Sequence, residues 1–268
     1  MVAEAVFDLH AGDSPLVISV PHAGTALPPS LAGEFSSTGL AVPDTDWHVP
    51  LLYGFATALG ATMIAARYSR YLVDLNRPAD DAALYAGAPS TGLCPALAFD
   101  GTPLYIDART TLPAAEIATR RAQWWQPYHD ALAAQLARVR AAHGHVVLLD
   151  AHSIHSRVPR LFDGLLPDLN IGTYDGRSCA PGLRESLAAL AQRETRWTHV
   201  VDGRFKGGHI TRHYGQPQSG VHAVQLELSQ SAYMDESGVD WDPTRAAPLH
   251  ATLKRIVETL IAFKPDQG

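Results

Sequence analysis

Three short stretches of the sequence place reactive side chains where a hydrophobic run stops. "VISVPHAG" carries His22 just past an apolar run, with Pro21 before it. "VVLLDAHS" puts Asp150 and His152 at the end of another run, and "AVQLELSQS" puts Glu227 at the end of a third. A fourth group, "PDTDWH", offers Asp44, Asp46 and His48 ahead of a helical pattern. Two imidazoles and one carboxylate with a position left open form the common ligand set of a catalytic zinc. Such a metal lowers the pKa of a bound water and polarises a carbonyl. Glu227 would then take the water proton and hand it to a leaving nitrogen, and Asp150 would orient a ligand from behind.

Each residue also has a plainer reading. A single His after a strand is commonly a turn or core residue, and thirteen histidines make any one of them weak evidence. Asp44 and Asp46 can cap the following helix. Glu227 is harder to dismiss, because a carboxylate in a buried apolar strand is costly without a partner or a task. Its plain reading is a salt bridge to an arginine. These residues lie too far apart to form a local motif. What unites them is their place at strand ends, where α/β sheets bind ligands.

The second concentration is cationic. "RYSRYLVDLNRP" carries Arg67, Arg70, Asn76 and Arg77, and "GRFKGGHITRHYG" carries Arg204, Lys206, His209, Arg212 and His213. The chain as a whole is acidic, with 27 Asp and Glu against 21 Lys and Arg, a net charge of -6. Two basic concentrations in an acidic chain suit an acidic small molecule, since Arg grips a carboxylate through two parallel hydrogen bonds. The overall charge argues against a nucleic-acid partner. Some of these cations can instead pair with the chain's own acids, and Arg70 is placed to reach Asp74.

The elements that must position these groups follow from periodicity. Strands are expected at 15–20, 61–69, 70–76, 145–153, 198–203 and 222–231. Helices are expected at 46–60, with Pro50 in the first turn and Gly60 as the stop, and at 115–144, kinked or divided near Pro127 and ended by Gly144. Two more are expected at 180–193 and 243–263. Strands alternating with helices imply an α/β fold with a mixed, mostly parallel sheet covered on both faces. The stretch from Pro78 to Pro113 reads as an ordered excursion, because it contains Tyr85, Phe99 and Tyr105. With 268 residues, 46% of them hydrophobic, a single domain over 1–268 is expected. No apolar run approaches membrane-spanning length and the start lacks a signal-peptide pattern. Cys94 and Cys179 cannot form a disulfide framework, so a reducing compartment, the cytoplasm, is expected. The expected partner is a small acidic substrate, without nucleic acid or membrane, and the expected assembly is a monomer or small homo-oligomer.

Taken together, "SVPHAG", "DTDWHV", "YSRYLVDLNRP", "DAHSIHSRVPRLFDGLLPDLNIGT", "RFKGGHITRHYGQP" and "AVQLELSQSAYMDE" resemble the N-formylglutamate amidohydrolases, from about Ser14 to the last helix. The resemblance implies a three-layer α/β/α fold of the zinc carboxypeptidase type and one zinc per chain. It implies a metal-dependent amidohydrolase acting on a linear amide, splitting N-formyl-L-glutamate into formate and L-glutamate in histidine degradation. Carried over residue by residue, His22, Asp46 and His152 are the metal ligands, with Asp44 still open as the carboxylate. Glu227 is the catalytic residue, and Arg67, Asn76, Arg77 and Arg212 bind substrate, Asn76–Arg77 resembling a pair that holds a terminal carboxylate. Gly24 would leave room for substrate. Two rivals stand beside this reading. One is a related amidohydrolase or carboxypeptidase for another N-acyl acidic amino acid. The other is a zinc store or sensor, which would need no general base.

Overall fold

The computed structural model describes residues 5–82 and 91–265. Its strands are β1 (Phe7–His10), β2 (Leu16–Val20), β3 (Thr62–Ala66), β4 (Val146–Ile154), β5 (Leu169–Gly172), β6 (His199–Val201) and β7 (Val221–Ser229). They form one sheet in the order β1-β3-β2-β4-β7-β5-β6. The pairings β2–β3, β2–β4, β4–β7 and β5–β6 are parallel, whereas β1–β3 and β5–β7 are antiparallel. The sheet is therefore mixed and mostly parallel. β4 is buried along its whole length, and its first half, "VVLL", reads as an unbroken apolar run in the sequence.

The helices are α1 (Pro29–Ala32), α2 (Ser37–Ala41), α3 (Val49–Tyr53), α4 (Ala114–Arg120), α5 (Gln126–His143), α6 (Pro181–Arg193), α7 (His209–Tyr214) and α8 (Pro243–Ala262). Alternate strand residues serve alternate faces. Leu16, Ile18, Leu149 and Leu226 pack with α3, α6 and α8, while Val17, Leu148 and Ala223 pack with α5 and Ile210 of α7. These two cores make the three layers. The same alternation sends Asp150, His152, Gln225 and Glu227 to the α5 and α7 side, Asp150 and Gln225 at mid-strand and His152 and Glu227 towards the carboxyl ends of β4 and β7.

Local expectations held where composition was unambiguous. Pro50 sits in the first turn of α3, and Gly60 ends the following 3-10 turn in the left-handed region at φ 80°. Pro127 opens α5, and a π-helical turn at Arg121–Trp125 separates it from α4, absorbing the missing amide donor. The expected strand at 70–76 is instead a buried coil. Its amides turn inward, Leu72 to Ser69 and Asp74 to Leu93. Arg70 Nη2 reaches Asp74 Oδ2 at 2.7 Å, which four residues of extended chain, spanning about 13 Å, would forbid. β1 and β5 are additions to the expected set. In the excursion after Pro78, Phe99 and Tyr105 are buried, and Tyr85 lies outside the described residues.

Candidate metal centre and active site

His22, Asp46 and His152 come together at the strand ends, each offering one ligand atom within 4.8 Å of the others. Among the described residues no other such trio occurs. All three are buried. Asp46 Oδ2 stands 3.0 Å from His152 Nδ1 and 3.8 Å from His22 Nδ1. Both rings thus present Nδ1 to one point. Their far nitrogens face carboxylates: His22 Nε2 meets Asp74 Oδ1 at 2.7 Å, and His152 Nε2 lies 2.9 Å from Asp150 Oδ1. Carboxylates behind both rings are the arrangement that fixes tautomer and orientation in metal-bound histidines.

The loop carrying Asp46 is pinned from several elements. The Asp46 amide donates to the His22 carbonyl (3.1 Å), and the Ser153 amide donates to Asp46 Oδ2 (3.1 Å). Gln230 Nε2 donates to the Thr45 carbonyl and the Tyr233 hydroxyl to that of Trp47. Asp44 is placed apart, its Oδ2 accepting from the Phe99 amide at 2.7 Å. Neither aspartate caps α3, whose N-cap is His48 without a side-chain bond.

The charge balance fits a divalent cation. Asp46, Asp74, Asp150 and Glu227 are all buried here, against one buried guanidinium, Arg70. Burial works against Asp74, but His22 and Arg70 outweigh it and hold its carboxyl well below the usual range. Burial and the Arg70 charge lower His22, keeping it in the neutral form that ligation requires. His152 goes the other way: against burial, Asp150 and Asp46 hold a proton on it. A cation seated among the same atoms would displace that proton.

Glu227 is the register partner of His152 across β4 and β7. Burial raises its pKa to about 8. Its Oε2 accepts from Gln225 Nε2 at 3.1 Å. Arg70 also approaches Asp46 Oδ1 at 3.7 Å and lies over the Phe99 ring.

The cationic residues expected to bind substrate divide. Arg67 does not join the site: it turns to the sheet edge, pairs with Asp8 and is about half exposed, at 47%. An exposed guanidinium with an acid on the adjacent strand is satisfied there. Asn76 does join the site, but as support. Its Nδ2 donates to Asp150 Oδ2 (3.1 Å) and its Oδ1 accepts from the Ile210 amide (2.7 Å), so the amide is engaged inside the protein. Arg77 is partly exposed, with Nε 4.0 Å from Asp74 Oδ2. Arg212 donates from Nε to the Gly207 carbonyl (2.8 Å) and stacks over Tyr174. Gly24 leaves room for the chain rather than for substrate, since a Cβ there would lie 2.3 Å from the Tyr68 carbonyl oxygen.

Asp74, Gln225 and Thr211 were missing from the expected site. Asp74 carried the same signal as Glu227, a lone acid within the apolar run "YLVDL". Gln225 and Thr211 carried none, as an amide and a hydroxyl are ordinary beside an apolar run.

Known proteins share this arrangement of elements and sequence. A crystal structure of N-formylglutamate amidohydrolase from Ralstonia eutropha JMP134 superposes with a TM-score of 0.79 at 28% identity, over 96% of this chain and 98% of that one. A gene product of Agrobacterium tumefaciens, 18% identical, shares the fold at a TM-score of 0.73, over 96% and 95% of the two chains. In sequence the chain is 48% identical over 266 residues to an N-formylglutamate deformylase of Pseudomonas putida, covering 98% of each. It is 49% identical over 262 residues to one of Pseudomonas aeruginosa, covering 97% of each. Residues 14–234 match the family model described as N-formylglutamate amidohydrolase, and the chain belongs to that family.

Proposed function

We propose that the chain is a zinc-dependent amidohydrolase that splits N-formyl-L-glutamate into formate and L-glutamate. The observation that carries this reading is the trio His22, Asp46 and His152 with Glu227 in register beside it. Two imidazoles and one carboxylate suit zinc, and their number leaves a coordination position for chemistry. Zinc, when bound, supplies Lewis-acid polarisation of the formyl carbonyl and a lowered pKa for the attacking water.

The chain's own residues do the rest. Asp74 holds the His22 imidazole in orientation, and Asp150 and Asn76 flank the far nitrogen of His152. Glu227 accepts the proton from water as attack proceeds and delivers it to the amide nitrogen as the C–N bond breaks. Its buried setting keeps it basic enough to accept the proton and acidic enough to return it. Arg77 and Arg212 form the cationic flank to which the two carboxylates of the substrate are assigned.

A role in histidine degradation follows from this substrate, and the two free cysteines, one buried and one partly buried, suit a reducing cytoplasm. Among the described residues no helix is long and apolar enough to cross a membrane. The test is formate release from N-formyl-L-glutamate before and after chelation and zinc repletion. Turnover that collapses with chelator and returns with zinc is expected. Zinc binding without any formate release would favour a store or sensor. Faster turnover of another N-acyl acidic amino acid would move the substrate.

A further inference from the structure

The segment from Phe205 to α7 lies against the sheet beside Gln225, closer than side chains normally allow. A Cβ on Gly172 of β5 would lie 2.7 Å from the Gly207 nitrogen, and one on Gly208 would lie 2.4 Å from Asn76 Nδ2. Gly207 itself is at φ 114°, a conformation suited to glycine. The backbone here is fastened by side chains that also hold the active-site carboxylates. Gln225 Oε1 accepts from the Gly208 amide at 2.8 Å, while Gln225 Nε2 donates to Glu227 Oε2 at 3.1 Å. Asn76 Oδ1 accepts from the Ile210 amide, and Thr211 Oγ1 donates to Asp150 Oδ2 at 3.2 Å.

We infer that Gln225 is a positioning residue that locks the Glu227 carboxylate and the Gly207–Gly208 loop into one fixed relation. Each end of its amide makes one of the two bonds, and the side chain is buried, at 4% exposure. The bond to Oε2 fixes the rotation of the carboxylate and leaves Oε1 for proton transfer. The bond to Gly208 holds the loop whose neighbouring carbonyl, that of Gly207, anchors Arg212. One side chain therefore ties the base to the loop that anchors Arg212, one member of the cationic flank. An amide suits this post because it donates at one end and accepts at the other. The inference rests on the reading of Glu227 as the base.

Two substitutions separate the two bonds. Gln225→Glu keeps an acceptor for Gly208 and sets a like charge against Glu227. Gln225→Leu removes both bonds at similar volume. With zinc content unchanged by elemental analysis, Gln225→Glu is expected to lower kcat by roughly tenfold to a hundredfold, the scale of a misplaced catalytic group, with KM little changed. Gln225→Leu is expected to lower kcat and also to raise KM, because the loop is released. Combined with Glu227→Gln, the Gln225→Glu change should add little further loss. Equal changes in kcat and KM for both variants, a full kcat in Gln225→Glu, or losses that simply multiply in the double variant would overturn the inference. Hydrogen exchange on the unaltered protein gives a reading that needs no variant to fold. The Gly208 amide should be protected as strongly as that of Ile210, and fast exchange at Gly208 alone would overturn the lock. Turnover retained in Glu227→Gln would instead refute the base assignment, leaving the KM and exchange results to judge the loop bond.

Discussion

Arg67 and Asp74 lie in one short segment, yet they belong to different kinds of structure. Asp74 is buried at 1% exposure, bonded to His22 on one oxygen and to Arg70 on the other. Arg67 is about half exposed and pairs with Asp8 on the sheet edge. The contrast extends across the molecule. His22, Asp46, Asp150 and His152 are held by neighbours from the strands and loops around them, whereas Arg77 and Arg212 are partly exposed and rest on carbonyls, rings or nearby acids. Burial explains the difference. A charge taken out of water must find partners or perform a task, so its presence in an apolar run is informative. An exposed guanidinium is satisfied by water and by any acid within reach, and such pairs contribute little.

The sharpest way to break the contrast is to remove one member from each side. His152→Ala should lose the zinc and with it all measurable formate release. Arg67→Ala should keep the metal and stay within about twofold of normal efficiency, as surface changes usually do. Elemental analysis and steady-state kinetics on the two variants check this. Zinc retained at full occupancy in His152→Ala would remove that residue from the ligand set. Next in size is Glu227→Gln, expected to retain zinc while turnover falls by about 10²–10⁴, the range for a positioned proton-transfer group. An unchanged turnover number would make Glu227 structural. Asp74→Asn should weaken zinc binding by roughly 10–100-fold, the usual cost of losing the group behind a ligand histidine. Competition with a chelator of known affinity measures it, and unaltered affinity would mean that Asp74 serves only Arg70.

These two kinds of structure also differ in how legible they were in the sequence. The central strands were readable because β2, β4 and β7 are buried almost throughout and are rich in apolar residues, with polar ones only at intervals. His22, Asp150, His152 and Glu227 stood out for the same reason, as polar groups where apolar runs stop. β5 was not, because "LNIG" holds two apolar residues and pairs antiparallel to β7 through long-range contacts. The coil at 70–76 misled because "YLVDL" is as apolar as a strand, although its burial comes from folding around Arg70 and Asp74. The choice of Asp46 over Asp44 depends on the Ser153 amide and the His22 carbonyl, which no spacing encodes. Arg67 and Asn76 misled differently. Their types suit an acidic ligand, but Asp8 in one case, and Asp150 with Ile210 in the other, had already engaged them.

The cationic flank can be sharpened in the same terms. A bidentate contact from Arg to a carboxylate contributes about 1.5–3 kcal/mol, so Arg77→Ala and Arg212→Ala should each cut efficiency on N-formylglutamate by roughly tenfold to a hundredfold. Lysine should restore only part, because its point charge lacks the planar fork. Only one of the two variants should hurt N-formylnorvaline, which has a single carboxylate. Equal effects of both variants on both substrates would refute separate clamps.

The gentlest effect is on stability, and it follows from Glu227. Its pKa in the folded protein is about 8, raised by burial, against about 4.3 for an unperturbed Glu. The folded state therefore holds this proton more tightly than the unfolded state does. The stabilisation from that proton is complete below the unfolded value and is lost as pH rises through the folded one. Between the two values the slope reaches at most about 1.4 kcal/mol per pH unit. Other groups titrate in the same window, His152 among them, so the observable is a difference. The denaturation midpoint of metal-free protein, minus that of metal-free Glu227→Gln, should fall from pH 5 to pH 8 and level off above it. Zinc should flatten the fall, because a nearby cation favours the carboxylate and lowers its pKa towards the unfolded value. A difference independent of pH would mean that Glu227 is already ionised in the metal-free protein. It would then be satisfied by Gln225 and Arg70 alone, and the cluster would need no metal to balance its charge.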